Sequence, residues 1–255
     1  MNGLPVADLL LMAAALAGAG AVAGVIGGLF GVGGESNLHV AIGTSLLTIV
    51  ATSWKSLATH RAHGAVDEKV LRTWTPWVAF GGLVGAAIAG VTSMEGLAIV
   101  YGACLLLVAA QMGLLPERFT LRPDLPTGWG RRGAGTLIGG LSAMMGVGGG
   151  SLGGMTMVLC GRPIHQAVAT ASGFGLAIGA AAALGFAVFG WGAVGRPPLS
   201  LGYVNLPAAA IMGLLTALTA PIGARLAHRL DRGILKKAFA VYLLATAISV
   251  VVKAL

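Results

Sequence analysis

Long apolar runs separated by short polar links dominate the chain. Several of them approach or exceed the ~20 residues that a transmembrane helix needs. They show no strict alternation of apolar and polar positions, and within lipid only helices and closed barrels satisfy every backbone hydrogen bond. The pattern therefore predicts an all-α, polytopic transmembrane helical bundle, whose main apolar runs cover residues 9–30, 136–145, 164–189, 206–222 and 238–252.

Composition excludes a water-soluble domain. Only 9% of the residues are charged and 56% are hydrophobic, and the mean hydropathy is +0.89. A soluble domain normally carries about 25% charged residues. The 42 glycines are also typical of membrane helices, since small residues allow helix backbones to approach closely. The lipid bilayer is therefore the first predicted partner of the chain.

The net charge of +8 does not indicate a nucleic-acid-binding protein, because the basic residues lie in short clusters between apolar runs. The positive-inside rule places such clusters in the cytoplasm. With Arg162 they hold fourteen of the sixteen basic residues, and they fall at 55–72, 118–132 and 225–237. We therefore expect a multi-pass protein of the plasma (inner) membrane, with the N-terminus and the C-terminus external.

The chain also contains an internal repeat. A glycine motif is followed by a His-x-Ala helix start in each half, beginning at His39 and at His165. Two further matches follow in the same order. The matching segments are 31–34 with 146–150, 39–45 with 165–172, Gly64-Ala65-Val66 with Gly192-Ala193-Val194, and Pro76 with Pro207.

The two halves are predicted to cross the membrane in opposite directions. When the basic clusters are cytoplasmic, the link at 61–72 is cytoplasmic and its counterpart at 191–203 is external. Many secondary transporters consist of such inverted-topology repeats with broken half-helices. We assign residues 1–116 to the first transmembrane repeat, 117–132 to a cytoplasmic basic linker and 133–255 to the second, inverted repeat.

One difference separates the two repeats. About a dozen residues stand between the glycine motif and the His-x-Ala motif in the second half, but only residues 35–38 stand there in the first half. The first repeat therefore lacks a half-helix after Gly34. Either this half-helix has been deleted or shortened, or the printed sequence omits residues at this point.

Further motifs extend the pattern along the chain. They are Thr52-Ser53, His60-Arg61-x-x-Gly64-x-Val66-Asp67, and Leu201-Gly202-Tyr203-Val204-Asn205 followed by Pro207. Together with the glycine and histidine motifs they resemble the sulfite exporter (TauE/SafE) permeases over nearly the whole chain. The resemblance implies transport of small anions, commonly sulfite, sulfoacetate, thiosulfate or related organosulfur compounds. It departs after Gly34, where the family normally has a further glycine and an apolar half-helix with proline.

The glycine motifs are the first candidates for a substrate site. A half-helix that starts at the second motif would point unpaired N–H groups and the positive end of its dipole into the membrane interior. Such helix ends bind oxyanions, and glycines let a ligand approach the backbone. The alternative is that the glycines serve only close packing or a bend. The candidate residues are Gly33, Gly34, Gly148, Gly149, Gly150 and Ser151.

Hydroxyl side chains follow each histidine by about one helical turn. They would donate hydrogen bonds to an anion without the cost of a buried fixed charge. The alternative is a hydroxyl bonded to a carbonyl of its own helix, which is common in membranes. These candidates are Thr44, Ser45, Thr170 and Ser172.

His39 and His165 occupy equivalent positions in the two halves. Histidine titrates near neutral pH, so either residue is a candidate for carrying a coupling proton. The alternative is a histidine that packs at a helix end near the membrane surface. The wide spacing of the histidines does not support a metal site.

Acidic residues contribute little to the predicted membrane interior. None lies deep in an apolar run, where it would indicate a proton or cation relay, and no nucleophile–base grouping supports an enzyme. No cofactor is expected. The sequence therefore predicts a secondary transporter (permease) that binds a small anion and works by alternating access. An anion channel and a non-transporting membrane anchor or assembly protein are the open alternatives.

Overall fold

The computed structural model describes residues 37–114, 120–216, 241 and 244–248. The described chain is mostly helical, which confirms the predicted helical class. One antiparallel pair of two-residue strands, β1 (Ser200–Leu201) and β2 (Val204–Asn205), is the exception. The helices are α1 (Asn37–Ala62), α2 (Glu68–Val91), α3 (Met94–Leu114), α4 (Gly128–Met144), α5 (Gly150–Leu159), α6 (Ile164–Phe189) and α7 (Leu206–Thr216).

Three of the described helices, α1, α2 and α6, are long and apolar enough to cross a membrane. Helix α6 coincides with the predicted apolar run 164–189, and α4 extends the predicted run 136–145 back to Gly128. The predicted run 9–30 and most of the run 238–252 lie outside the described residues.

Helices α1 and α6 form an antiparallel pair at the centre of the bundle. Their contacts run in opposite order along the two helices, since Gly43 approaches Phe186 while Ser53 approaches Gly175. A Cβ atom added at Gly175 would lie only 2.7 Å from the Ser53 hydroxyl oxygen. The missing side chain therefore allows the two backbones to pack closely, as small residues do in membrane proteins.

Helix α2 packs along both α6 and α4, and it runs parallel to each of them. Gly81 and Gly85 approach the backbone of α4 at Thr136 and Gly140, so closely that a Cβ atom at either glycine would overlap α4. The glycines of α2 and α4 thus act as packing contacts, which agrees with the expected use of small residues between membrane helices.

The bundle has two distinct ends. At the first end, which we call the basic end, the side chain of Asp67 lies 3.9 Å from that of Arg162, and Leu121 N–H donates to the Leu159 carbonyl (2.8 Å). Of the nine lysines and arginines in the described residues, eight belong to the segments that meet at this end. Arg196 belongs to the loop at the other end. This segregation agrees with the predicted grouping of basic clusters, whereas the orientation in the membrane stays a prediction.

At the basic end, the N-terminus of α2 is joined to α6 through one residue. The side chain of Asp67 caps α2 by accepting the Val70 N–H (3.0 Å), and the Asp67 N–H donates to the hydroxyl oxygen of Thr170 (2.9 Å). The turn before the cap has Gly64 at φ +64°, a conformation that favours glycine. We call this contact the Asp67–Thr170 joint.

The opposite end repeats this arrangement between α7 and α1. The side chain of Asn205 accepts the Ala208 N–H (2.8 Å), and the Asn205 N–H donates to the hydroxyl oxygen of Thr44 (3.0 Å). Gly202 precedes it at φ +58°. We call this second contact the Asn205–Thr44 joint. Here the second half of the chain supplies the capping residue and the first half supplies the threonine, the reverse of the Asp67–Thr170 joint.

The two joints add an equivalence to the sequence repeat. Segment 64–67 resembles 202–205 in conformation and hydrogen bonds, while Gly192, the predicted counterpart of Gly64, is also at a positive φ of +87°. When 64–67 is aligned with 202–205, Pro76 and Pro207 stand at different distances from Asp67 and Asn205, the residues that cap their helices. The sequence comparison paired Gly64-Ala65-Val66 with the identical triplet at 192–194, because hydrogen bonds between distant segments leave no signal in a sequence alignment.

Candidate functional site

Helices α4 and α5 form a re-entrant pair that enters the bundle from the basic end and returns to it. Helix α4 begins at Gly128 and runs parallel to α2, and α5 ends at Leu159, whose carbonyl accepts the Leu121 and Arg122 N–H groups. Helix α5 has 10 residues, so it is about 15 Å long, half of a ~30 Å hydrocarbon core. It is the short segment that the sequence predicted as a half-helix.

The glycine turn between α4 and α5 lies at the middle of the central helix pair. A Cβ atom at Gly148 would touch Ile49, the thirteenth of the 26 residues of α1. One at Gly149 would touch Phe174 and Ile178, the eleventh and fifteenth of the 26 residues of α6. The N-terminus of α5 therefore points into the interior of the bundle.

This helix end is electrostatically positive and has no side-chain cap. The N-cap residue Gly149 has no side chain to accept the first N–H groups of α5. Those groups lack partners within the helix and carry the positive end of its dipole. The side chains that contact the turn belong to the apolar residues Ile42, Ile49, Phe174 and Ile178 and to Ser45, whose hydroxyl is uncharged, so no ionised group among them competes with an anion.

The glycines of the turn have different roles. A Cβ atom at Gly148 would lie 2.7 Å from the Ile49 side chain, and one at Gly149 would lie 2.6 Å from the Ile178 side chain. These two glycines therefore serve close packing, the alternative that the sequence left open. A Cβ atom at Gly150 meets no heavy atom of the described residues within 4 Å, and Gly150 is exposed. Open space is thus available at the first residue of α5.

Two serine hydroxyls beside the turn are buried without a hydrogen-bond partner among the described residues, those of Ser151 and Ser142. Ser151 is the second residue of α5, and Ser142 lies in the last turn of α4 with no exposed surface. An unsatisfied buried hydroxyl costs about 1–3 kcal/mol, so both groups favour a polar ligand. Sequence analysis missed Ser142; its signal was a serine one turn before the glycine motif.

Ser45 supports the turn instead of facing open space. Its hydroxyl donates to the carbonyl oxygen of Gly146 at 2.8 Å, across 101 positions of the chain. Gly146 itself is at φ +64°, where a side chain would be strained. Ser45 therefore fixes the position of the turn against α1.

The other predicted hydroxyls make hydrogen bonds that do not involve the glycine turn. Thr44 and Thr170 accept the N–H groups of the two joints. Thr170 lies about 6 Å along α6 from Phe174, whereas Thr44 is next to Ser45, which bonds the turn. Ser172 donates to the Ala169 carbonyl of its own helix at 2.6 Å. Ser172 therefore has the bond to its own helix that the sequence held open as the alternative, whereas Thr44 and Thr170 bond to segments distant in sequence.

The two predicted coupling histidines have unlike surroundings. His39 is buried, its Nε2 lies 2.8 Å from the Ala89 carbonyl oxygen, and its ring stacks on Tyr203 with centroids 5.0 Å apart. His165 is exposed at the basic end. The bond of His39 to a neighbouring carbonyl matches the helix-end packing that was the alternative to proton coupling.

Part of the predicted site lies outside the described residues. Gly33 and Gly34 belong to that part of the chain, so the contribution of the first half stays a prediction. Within the described ranges, no group of three or more histidine, cysteine, aspartate or glutamate side chains is arranged to hold a metal ion.

Three membrane-length helices, and a half-helix whose N-terminus lies between two of them, define a polytopic helical membrane protein. The family model described as "Sulfite exporter TauE/SafE" matches residues 16–250. The chain therefore belongs to the TauE/SafE sulfite exporter family, which confirms the resemblance inferred from the motifs.

A curated relative agrees with this assignment. The chain is 29% identical over 253 residues to a "Probable membrane transporter protein" of Haemophilus influenzae, covering 92% of this chain and 96% of the relative. No solved structure matches the chain. The family and this relative support a membrane transporter.

Proposed function

We propose that the protein is a secondary transporter that carries a small anion, sulfite or an organosulfur anion such as sulfoacetate, across the plasma membrane by alternating access. The observation that carries the proposal is the uncapped N-terminus of α5 at the middle of the α1–α6 pair. Membership of the TauE/SafE family supports the substrate class.

The chemistry of the turn suits a small oxyanion. The open space at Gly150 gives access to backbone N–H groups, and the unpartnered hydroxyls of Ser142 and Ser151 supply two further donors. A hydrogen bond to a charged group contributes about 1.5–3 kcal/mol. Donors without a fixed positive charge bind the anion while still permitting its release, which a transporter requires.

The two joints support a rocking motion between halves of opposite orientation. Each joint ties a helix N-terminus of one half to a threonine of the other half through one hydrogen bond, at opposite ends of the central pair. A single neutral hydrogen bond contributes only about 0.5–1.5 kcal/mol. Opening one joint while the other stays closed would expose the site to one side at a time.

The joints are not equal in charge. The basic end adds the Asp67–Arg162 contact at 3.9 Å, whereas the neutral Asn205 stands at the equivalent position of the other end. The basic end therefore has the stronger tie, and we propose that the resting protein opens at the end where Asn205 lies.

Transport and binding measurements test this function. Purified protein is heated with sulfite, sulfoacetate, thiosulfate, sulfate and oxalate, since a ligand that binds only the folded state raises its stability. The anion with the largest effect is then followed in proteoliposomes. We expect saturable flux with counterflow. Large single-channel currents would indicate a channel, and the absence of both stabilisation and flux for the whole panel would contradict the proposal.

Proton coupling through His39 and His165 stays a separate proposal with its own test. Sulfite has a second ionisation near neutral pH, so its flux depends on pH even without a titrating side chain. A sulfonate stays ionised over that range and removes this ambiguity. If the histidines carry the proton, replacing both by glutamine flattens the pH profile for either substrate; an unchanged sulfonate profile would show that they are structural.

A further inference from the structure

A lateral groove between α2 and α4 has no role in the proposed transport cycle. It has a volume of about 600 Å³, and Ile88 and Leu137 on its walls are 48% and 62% exposed. Its walls are apolar apart from one end, where a cation and two indole rings meet. The residues that define it are Trp77 and Ile88 of α2, and Trp129, Arg132, Leu137 and Met144 of α4.

Arg132 is held at the polar end of this groove by aromatic rings. Its guanidinium carbon lies 5.0 Å from the ring centroid of Trp77 and 4.5 Å from that of Trp129. Stacking of this kind fixes the guanidinium plane, while its N–H groups at the edge stay available for a phosphate. The two ion pairs of the described residues, Arg61–Glu68 and Arg162–Asp67, do not involve Arg132.

Two further features at this end favour an anion. The Nε atom of Arg131 is buried without a hydrogen-bond partner among the described residues. Helix α4 starts here, and its N-cap residue Thr127 makes no side-chain capping bond, so the first N–H groups of the helix are open. Trp129 is 82% exposed, as expected for an indole at the level of lipid headgroups.

The length of the groove matches that of one acyl chain. From Trp77 to Ile88 the groove follows eleven residues of α2, which is about 16 Å of helix. Half of a ~30 Å hydrocarbon core is about 15 Å. An acyl chain in the groove would thus place its headgroup phosphate beside Arg132 at the basic end.

We propose that this groove binds an anionic phospholipid, with its phosphate on Arg132 between the two indole rings and one acyl chain along α2 and α4. The positive charge of Arg132 selects an anionic lipid over a neutral one, and the apolar wall, about as long as one acyl chain, accommodates the lipid tail. The inference does not depend on which anion the protein transports.

Lipid titration of detergent-purified protein tests the proposal. Phosphatidylglycerol and phosphatidylcholine with the same acyl chains are compared by native mass spectrometry and by melting temperature. We expect phosphatidylglycerol to bind about fivefold tighter, the preference that one arginine near a phosphate supplies. Inorganic phosphate alone should give no shift in melting temperature, since it cannot fill the apolar groove.

Matched variants assign the effect to the groove. Arg132→Gln should remove the preference for phosphatidylglycerol, whereas Arg122→Gln, which changes an exposed arginine of the same end outside the groove, should keep it. Leu137→Trp should fill the groove and weaken both lipids. Equal loss in the two arginine variants, or equal binding of the two lipids, would overturn the proposal. A disulfide between two copies of a Leu137→Cys variant in membranes would assign the groove to a second copy and would also overturn it.

Discussion

Gly149 and Gly150 are neighbours, and the structure predicts opposite consequences when each is changed to alanine. At Gly149 the new Cβ atom would lie 2.6 Å from the Ile178 side chain and 2.9 Å from the Cβ atom of Phe174. Overpacking of this kind costs about 1–3 kcal/mol of folding free energy. A loss of transport in Gly149→Ala would therefore reflect damage to the packing of α5 against α6.

At Gly150 the new methyl group meets no atom within 4 Å in the part of the chain that the structure describes, and the residue lies in a helix without a positive φ. Alanine is the better helix former by up to about 1 kcal/mol, so stability should be unchanged or higher. The methyl group nevertheless occupies the space through which an anion reaches the N–H groups of α5. Loss of one hydrogen bond to a charged ligand costs about 1.5–3 kcal/mol, or roughly tenfold to hundredfold in Kd.

The assay measures both quantities on the same samples. Melting temperature without ligand reports stability, and the ligand-dependent shift gives the Kd for the anion that stabilises the wild-type protein most. We expect Gly150→Ala to lose affinity while keeping its melting temperature, with Gly150→Val more severe. Wild-type affinity in Gly150→Val would refute the idea that the N-terminus of α5 binds the substrate.

Three other predictions concern the same machinery. Ser142→Ala and Ser151→Ala should each lower affinity for the anion by about tenfold while leaving the melting temperature unchanged or raising it, because each removes an unsatisfied buried hydroxyl; a lower melting temperature with normal affinity would indicate a purely structural role. Thr44→Val and Thr170→Val each remove one joint, so in oriented vesicles each variant should have a lower KM for substrate on one membrane face, and the face should differ between the two variants. A lower KM on the same face in both variants would contradict alternate opening. A cysteine in place of Glu68, which lies at the basic end, should resist an impermeant thiol reagent added outside intact cells, and labelling there would reverse the predicted orientation.

The half-helix could be predicted from sequence because it depends on local properties. A largely apolar segment of ten residues after a run of glycines is too short to cross the membrane, and the basic residue Arg162 that follows limits how far the segment can extend. The same reasoning located the turn, although it could not tell which glycine faces a neighbouring helix and which faces open space. That distinction depends on Ile49 and Ile178, which are distant in sequence.

The joints show what sequence analysis could not supply. The Asp67–Thr170 and Asn205–Thr44 hydrogen bonds connect positions 103 and 161 residues apart. Thr44 and Thr170 were predicted to contact substrate because their hydroxyls would donate to an anion without the cost of a buried fixed charge. In the structure both hydroxyls accept N–H groups from the segments before α2 and α7, a tertiary arrangement that hydrophobic periodicity does not encode.

The re-entrant pair also has a consequence for how the protein is made. Both ends of the α4–α5 pair lie at the basic end, so the pair can enter the bilayer as one hairpin without sending a polar loop to the far side. Helix α6 then starts on the side where α4 started, beside Arg162, and the direction of the later helices does not depend on how well α5 has formed. The glycines of the turn, which are poor helix formers, are therefore tolerated during biogenesis, and changes at Gly150 can alter the site without redirecting the chain.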